Sequence, residues 1–274
     1  MPAARALDPG ASPSAFFGAE LRHYRTRAGL SQEQLGERIN YSGALVGAVE
    51  TADRRPQLDF ARRCDEALGT DGALTRLMVT VSREAFPGWF RPWLEVEQEA
   101  TCLRGFEPLL VHGWFQTGDY AREVLRAGQP GASDEQVDEM VTARLERQEA
   151  ILARDDPPMI YAVLDEGALH RPVGNPKVMA GQLGHLADAA QSPRVTLQVV
   201  PFAVGAHAGS GPLILATLRD APDVAYLDTV VEGYLVDDPK IVATVSGLWE
   251  ALRGDALPQQ ASVEATEKAA RQWI

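Results

Sequence analysis

Asp165, Glu166, His170, His207 and Ser210 are residue types from which hydrolytic sites are built, and Gly205-Ala206-His207-Ala208-Gly209-Ser210-Gly211 has the glycine density of a phosphate-binding loop. Their spacing completes neither chemistry. No Gly-Lys-Ser/Thr follows the glycines, so no lysine is placed for a phosphate, and there is no Gly-x-Ser-x-Gly elbow. The five histidines form no His-x-x-x-His pair, and Cys64 and Cys102 form no Cys-x-x-Cys, so the local scaffold of a metal site is missing. Asp165-Glu166 reads more simply as the acidic start of a helix, near the positive end of its dipole. His207, in a glycine-rich loop between strands, reads as a mobile contact residue for a partner or ligand, or as an ordinary solvent-facing histidine. The expectation is a protein that is not an enzyme, with no cofactor and no metal.

The elements that position these residues are bounded by length. The chain has 274 residues, 45% apolar and 23% charged, enough for about two ordinary domains and neither disordered nor fibrous. Two cysteines cannot form a disulfide framework, and no apolar run follows a basic start, so a cytoplasmic location is expected. The longest uncharged stretch, 195–218, has the length of a membrane span. Pro201, Gly205, Gly209, Gly211 and Pro212 interrupt it, which predicts two buried strands around a loop and no membrane partner.

Residues 1–13 hold three prolines and no apolar period, the composition of a flexible tail. Phe17, Leu21 and Tyr24 then recur at helical spacing up to Gly29, a C-cap glycine. Ser31 precedes Gln34 by three, a capping box, and Leu35 and Ile39 give a two-turn helix that stops at Asn40. Ser42 caps a third short helix carrying Leu45, Val46 and Val49, and two more helices follow over 57–68 and 71–83. Short helices around the Asn40 turn describe a helix-turn-helix whose third helix enters a major groove. Beyond it, Trp89, Phe90 and Trp93 among prolines suit a core seam where the domains meet, or a pocket lining. Helices are predicted over 119–127, 134–153, 176–190, 239–253 and 262–274. Strands are predicted near 159–164, 195–200, 212–218, 224–227 and 230–236. The predicted fold is multidomain: an all-α helix-turn-helix N-terminal domain of about five helices over 14–85, followed by a mixed α+β C-terminal domain over 86–274.

The run from Leu21 to Leu35, Leu-Arg-His-Tyr-Arg-Thr-Arg-Ala-Gly-Leu-Ser-Gln-Glu-Gln-Leu, followed by Val49-Glu50 and Arg54-Arg55-Pro56, resembles the phage-repressor/Cro-like XRE family over about 55 residues. The resemblance implies that Arg25 pairs with Glu50 and that Gly36 lies where the second helix meets the third. It implies that Gln32 approaches a phosphate and that Gly43, Ala44, Leu45 and Ala48 face base edges. None of those four side chains can make a hydrogen bond, so the bidentate contacts that discriminate bases by about 1 to 3 kcal/mol are absent from this helix. Ala44 or Leu45 suits a thymine methyl, and Tyr41, Ser42, Arg54 and Arg55 suit the backbone or neighbouring groups. The predicted affinity is modest and dependent on dimerisation or DNA shape. A protein-docking role without DNA binding is the competing reading of the same depleted face.

Phe106-Glu107-Pro108-Leu109-Leu110-Val111, Gln116-Thr117-Gly118-Asp119-Tyr120-Ala121-Arg122, Arg144-Leu145-Glu146-Arg147-Gln148, Leu164-Asp165-Glu166-Gly167-Ala168-Leu169 and Val199-Val200-Pro201-Phe202 together resemble the C-terminal domain of actinobacterial XRE regulators, including WhiJ-like and antitoxin-like proteins. That resemblance runs from Trp89 onwards and implies a small partner protein encoded nearby, bound and antagonised by the regulator. His112, Trp114 and Phe115 depart from the family pattern, and no contact is carried onto them. The expected partners are therefore a double-stranded DNA operator, a small protein and a second copy of the chain as homodimer. A small-molecule sensor is the alternative.

The net charge of −12 taken whole argues against polyanion binding. It is unevenly distributed: residues 1–85 hold 11 basic and 11 acidic residues, and the rest hold 15 basic and 27 acidic. Every basic residue of the first part is Arg, suited to phosphate and base-edge forks, although 23 of the 26 basic residues in the chain are Arg anyway. An acidic body is repelled by DNA, so only the head is expected to dock.

Overall fold

The computed structural model describes residues 8–84 and 86–273, and the chain divides into two units, Met1–Pro87 and Gly88–Ile274. Of the tail expected over 1–13, residues 1–7 lie outside the described residues. Ser12 already caps a helix, accepting the Ala15 N–H at 3.0 Å, with Pro13 at the first helical position, where its missing N–H costs nothing. This helix, α1 (Pro13–Arg27), is followed by α2 (Gln32–Ile39), α3 (Gly43–Glu50), α4 (Leu58–Leu68) and α5 (Ala73–Glu84). The capping box at α2 is complete: the Gln34 N–H donates to Ser31 Oγ and the Ser31 N–H to Gln34 Oε1. Asn40 turns the chain in the left-handed region, φ 60°. Phe17, Leu21, Leu35, Val46, Phe60 and Leu74 are fully buried at the centre of the five helices.

The second unit is built on a six-stranded sheet. Its elements are α6 (Arg91–Glu99), β1 (Cys102–Glu107), α7 (Gly118–Gly128), α8 (Asp134–Leu152), β2 (Met159–Asp165), α9 (Gly167–His170), α10 (Pro176–Ala189) and β3 (Val195–Val200). These are followed by β4 (Leu213–Thr217), β5 (Val224–Asp228), β6 (Gly233–Val236), α11 (Pro239–Asp255) and α12 (Gln259–Gln272). The strand order is β3-β2-β1-β4-β5-β6, with β1, β2 and β3 parallel and each later pairing antiparallel. The uncharged stretch 195–218 is β3, a loop and β4. Among the described residues, no helix is long and apolar enough to cross a membrane.

Two elements had no counterpart in the sequence reading. β1, one of the two central strands of the sheet, carries Arg104 and Gly105 where alternation calls for a side chain to pack. Gly105 is buried beneath the His112 ring, whose Nε2 would lie 2.7 Å from a Cβ there, so the glycine makes room for a ring supplied from elsewhere in the sequence. α6 contains Pro92, tolerated because it falls in the first turn. Its Trp93 is fully buried, and Trp89 and Phe90 pack against the same core, so the aromatic run forms a seam within the second unit. At the other end of the sheet, β6 starts at Gly233, and Val230 and Val231 form the exposed tip of the β5–β6 hairpin.

Candidate nucleic-acid interface

Glu50, the last residue of α3, is fully buried, where a carboxylate persists only if its charge is met. Arg25 of α1 meets it with Nε at 2.5 Å from Oε1 and Nη2 at 2.9 Å from Oε2, and its Nη1 donates to the Leu30 carbonyl at 2.7 Å. The hydrogen bond to Glu50 raises the Arg25 pKa against the opposing effect of burial. Arg22, one turn earlier, donates to the Glu50 carbonyl at 3.1 Å and stands 3.5 Å from Oε2. Gln32 Nε2 donates to Oε2 at 2.8 Å. The network locks α1, the first turn of α2 and the end of α3 together. Gln32, expected to approach a phosphate, gives one of its two amide N–H groups to Glu50, and its side chain is half-buried. Arg22 was not anticipated; its position one turn before Arg25 on the same helix was the available signal.

The α2–α3 contact depends on two glycines. A Cβ on Gly36 would lie 2.8 Å from both the Gly43 nitrogen and the Tyr41 carbonyl, and one on Gly43 would lie 2.8 Å from the Glu33 Cα. Gly43 therefore faces the first turn of α2, not base edges, which corrects its expected role. On α3, Ala44 is exposed while Leu45 and Ala48 are half-buried, Leu45 packing against the head core. Tyr41 is also redirected: its hydroxyl donates to Asp59 Oδ2 at 3.0 Å and its ring meets Phe60 edge-on, with burial and then Asp59 raising its pKa. Ser42 Oγ accepts the Leu45 N–H, leaving its O–H as a donor on an exposed residue. Arg54 is exposed, whereas Arg55 is half-buried and partnered within the chain. Arg38, in the last turn of α2, is exposed and was not singled out from the sequence. Ser42 and Ala44 at the start of α3 are thus exposed, as are Asp53 and Arg54 just past its end.

In the second unit, His207 is anchored rather than mobile. Its Nε2 stands 3.0 Å from Asp165 Oδ2, and its Nδ1 accepts the Gly209 N–H at 3.1 Å, which places the ring proton on Nε2. Asp165 Oδ1 accepts the Gly167 N–H at 2.7 Å. Both ring nitrogens are occupied, so neither is open to take a proton from Ser210, which is exposed. Among the described residues, no group of three or more His, Cys, Asp or Glu side chains could hold a metal.

A denser polar cluster lies at the carboxyl end of β1. Glu97 is buried and accepts from Trp93 Nε1, from Trp114 Nε1 at 2.7 Å, and from Arg147 through Nε and Nη2, both at 2.6 Å. Arg144, one turn before Arg147 on α8, donates to Gln116 Oε1. Burial, followed by the Asp228 charge, pushes the Glu107 carboxyl up to about 8, with Arg144 opposing. Burial and Arg147 lower Arg144 to about 10. Burial also raises Asp228, which accepts from the Tyr226 hydroxyl at 3.0 Å. His112 is buried and held well below its ordinary pKa, by burial first and then by Arg147 and Arg144. Its ring stacks on Trp114, and its Nε2 has no hydrogen-bond partner.

Residues 17–78 match a family model described as a helix-turn-helix domain, and residues 90–268 match one described as Domain of unknown function (DUF5753). The second match spans more than half of the chain. The chain belongs to the DUF5753 family. No curated protein and no solved structure matches it. In this DUF5753 member the helix-turn-helix head is that of a DNA-binding regulator, and the family domain attached to it corresponds to the six-stranded unit. The anchored His207 and the Glu107 cluster both lie inside the DUF5753 match.

Proposed function

We propose that this chain is a cytoplasmic, non-enzymatic transcriptional regulator of the phage-repressor/Cro-like XRE type. It binds an operator as a homodimer, and its DUF5753 unit binds a small partner protein in an antitoxin-like arrangement. The observation that carries the DNA-binding reading is the construction of the head. The Glu50 network and the two-glycine contact fix α2 against α3, while Ser42, Ala44 and Arg54 stay exposed. Ala44 suits a thymine methyl, and Arg54, Arg38 and the Ser42 hydroxyl suit phosphates. Because one such face discriminates weakly, two heads set about 34 Å apart on one face of the duplex supply the affinity. Resemblance to WhiJ-like and antitoxin-like regulators supports the partner, whose binding changes operator affinity by linkage.

The test is a footprint of the full chain on DNA selected from random sequence, with and without the product of the adjacent small reading frame. A sequence-selective footprint, weakened at least tenfold by Arg54→Ala and altered by the partner, is the expected result. Equal operator affinity with and without the partner overturns the linkage, and absence of any selective footprint favours a docking module. The Glu107, Arg144 and Asp228 cluster favours a second reading, a small-molecule sensor. Perturbed ionisable groups gathered at the carboxyl ends of strands are a common setting for ligand sites. A metabolite that raises the Tm of the full chain but not of Glu107→Gln supports it.

A further inference from the structure

The two edges of the sheet are finished differently. At β3, the Val199 N–H donates to Ser262 Oγ at 3.0 Å and the Val199 carbonyl accepts the Leu257 N–H at 2.8 Å, so the backbone just before α12 and a serine side chain within it close that edge. At β6 the inner ladder runs from the Thr229 N–H to the Glu232 carbonyl at 3.1 Å, with Leu227 opposite Tyr234 and Tyr226 opposite Leu235. Alternation from that bond turns the N–H and carbonyl of Leu235 away from β5. Among the described residues no hydrogen bond meets them.

The tip beside this open edge is apolar where turn chemistry favours Asn and Gly: Val230 is fully exposed and Val231 is 82% exposed. Tyr234 and Leu235 are exposed as well. Residues 220–239 contain Asp220, Asp223, Asp228, Glu232, Asp237 and Asp238 and no Lys or Arg. Arg104 pairs with Asp223 and Asp228 turns to Tyr226, which leaves Glu232 in the hairpin and Asp237 and Asp238 just after β6 as the carboxylates beside the edge, with Arg219 and Lys240 the nearest cations in sequence. We propose that β6 and the hairpin tip accept an extended, basic segment of a different protein, which adds to the sheet as a seventh strand. Strand addition satisfies the open backbone groups, alternate apolar side chains cover Val230, Val231 and Leu235, and basic side chains between them meet the carboxylates. A second copy of this chain is excluded as the occupant by charge, because pairing β6 with β6 sets one acidic edge against another. The inference rests on the partner-binding reading above and adds the surface and the chemistry of the partner.

The probe is an acetylated, amidated octapeptide alternating Lys and Val, titrated into the full chain and followed by amide NMR shifts and fluorescence anisotropy. A second peptide with Glu in place of Lys serves as the charge control. The expected result is binding of the Lys peptide alone, with shifts centred on 229–237. Leu235→Pro, which removes an outward N–H and leaves the inner ladder intact, weakens binding at least tenfold, and so does Val230→Lys with Val231→Lys. Far-UV circular dichroism and Tm of each variant establish that it is folded, and the hairpin-tip variant keeps the test open if the proline unfolds β6. Equal binding by the wild type and both variants, binding of both peptides, or no binding overturns the proposal, as does a wild-type dimer abolished by Leu235→Pro. The adjacent small protein separates the two readings. If it binds the wild type and Leu235→Pro equally, the β6 surface fails and the partner reading stands. If only the Lys peptide binds, the partner reading fails and the edge stands.

Discussion

Glu107 shows how a single residue can be legible in type and illegible in state. Its place in a Phe-Glu-Pro-Leu-Leu-Val run identifies a carboxyl before a turn, whereas the Asp228 charge and the burial that raise its pKa come from other strands and helices. Because the folded-state value, about 8, lies above the ordinary 4.5, the folded state holds the proton more tightly than the unfolded chain does. The associated stability is fully present below pH 4.5 and is lost as pH rises through 8. Glu107→Gln keeps the shape and removes the ionisation, so its Tm should fall less than that of the wild type between pH 5 and pH 8.5. Parallel Tm curves would show that the carboxyl does not titrate in this range. His207 is the complementary case. Its loop is glycine-rich in sequence and reads as mobile, but the ring is held between Asp165 and the Gly209 amide, a contact to β2 that local composition does not encode.

At the scale of elements, what was legible was local. Ser31 with Gln34, and Ser42, each cap the helix that follows through bonds spanning three residues, so spacing alone suffices. β1 and α6 were missed because neither has a clean period: Gly105 leaves a gap for His112, and Pro92 reads as a break unless the first turn is known to begin at Arg91. The α2–α3 pair lies between these extremes, since Gly36 was recognised as a close-contact position and Gly43 was not. Gly36→Ala is expected to destabilise the head by about 1 to 3 kcal/mol, because the added Cβ meets backbone atoms that cannot retreat. That cost exceeds the helix-propensity gain of about 1 kcal/mol. Gly47→Ala is the comparison: its Cβ meets the Gln32 amide end at 3.1 Å, a side chain that can give by a few tenths of an ångström but is bonded to Glu50, so a smaller loss of stability than that of Gly36→Ala is expected. Urea unfolding of both variants, with operator binding measured alongside, checks this. A Gly36→Ala protein as stable as the wild type would show that the two helices are not in close contact.

For the molecule as a whole, charge decides how DNA is met. The head is neutral in sum, and at least three of its eleven arginines are paired within it: Arg25 and Arg22 with buried Glu50, and Arg63 with Asp59 at 2.8 Å on the surface. Arg38 and Arg54 are the exposed cations nearest α3 in sequence. With about 0.9 in slope per phosphate neutralised, two such contacts give a log K against log salt slope near −2 per head, shallow for a DNA-binding protein. Arg54→Ala should lower it by about 1. A slope of −6 or steeper per head would mean that cations outside the α2–α3 region dominate.

By itself the sequence determined the division into a helical head and an acidic mixed unit, the N-caps of α2 and α3 and the low hydrogen-bonding capacity of α3. These follow from composition and from interactions a few residues long. Only the tertiary structure decided that Gln32 serves Glu50, that Gly43 is packed under Glu33, that Tyr41 turns to Asp59, and that one sheet edge is closed while the other is open. Each of these joins residues far apart in the chain, where the partner, the burial and the shared charge exist only once the helices and strands have packed.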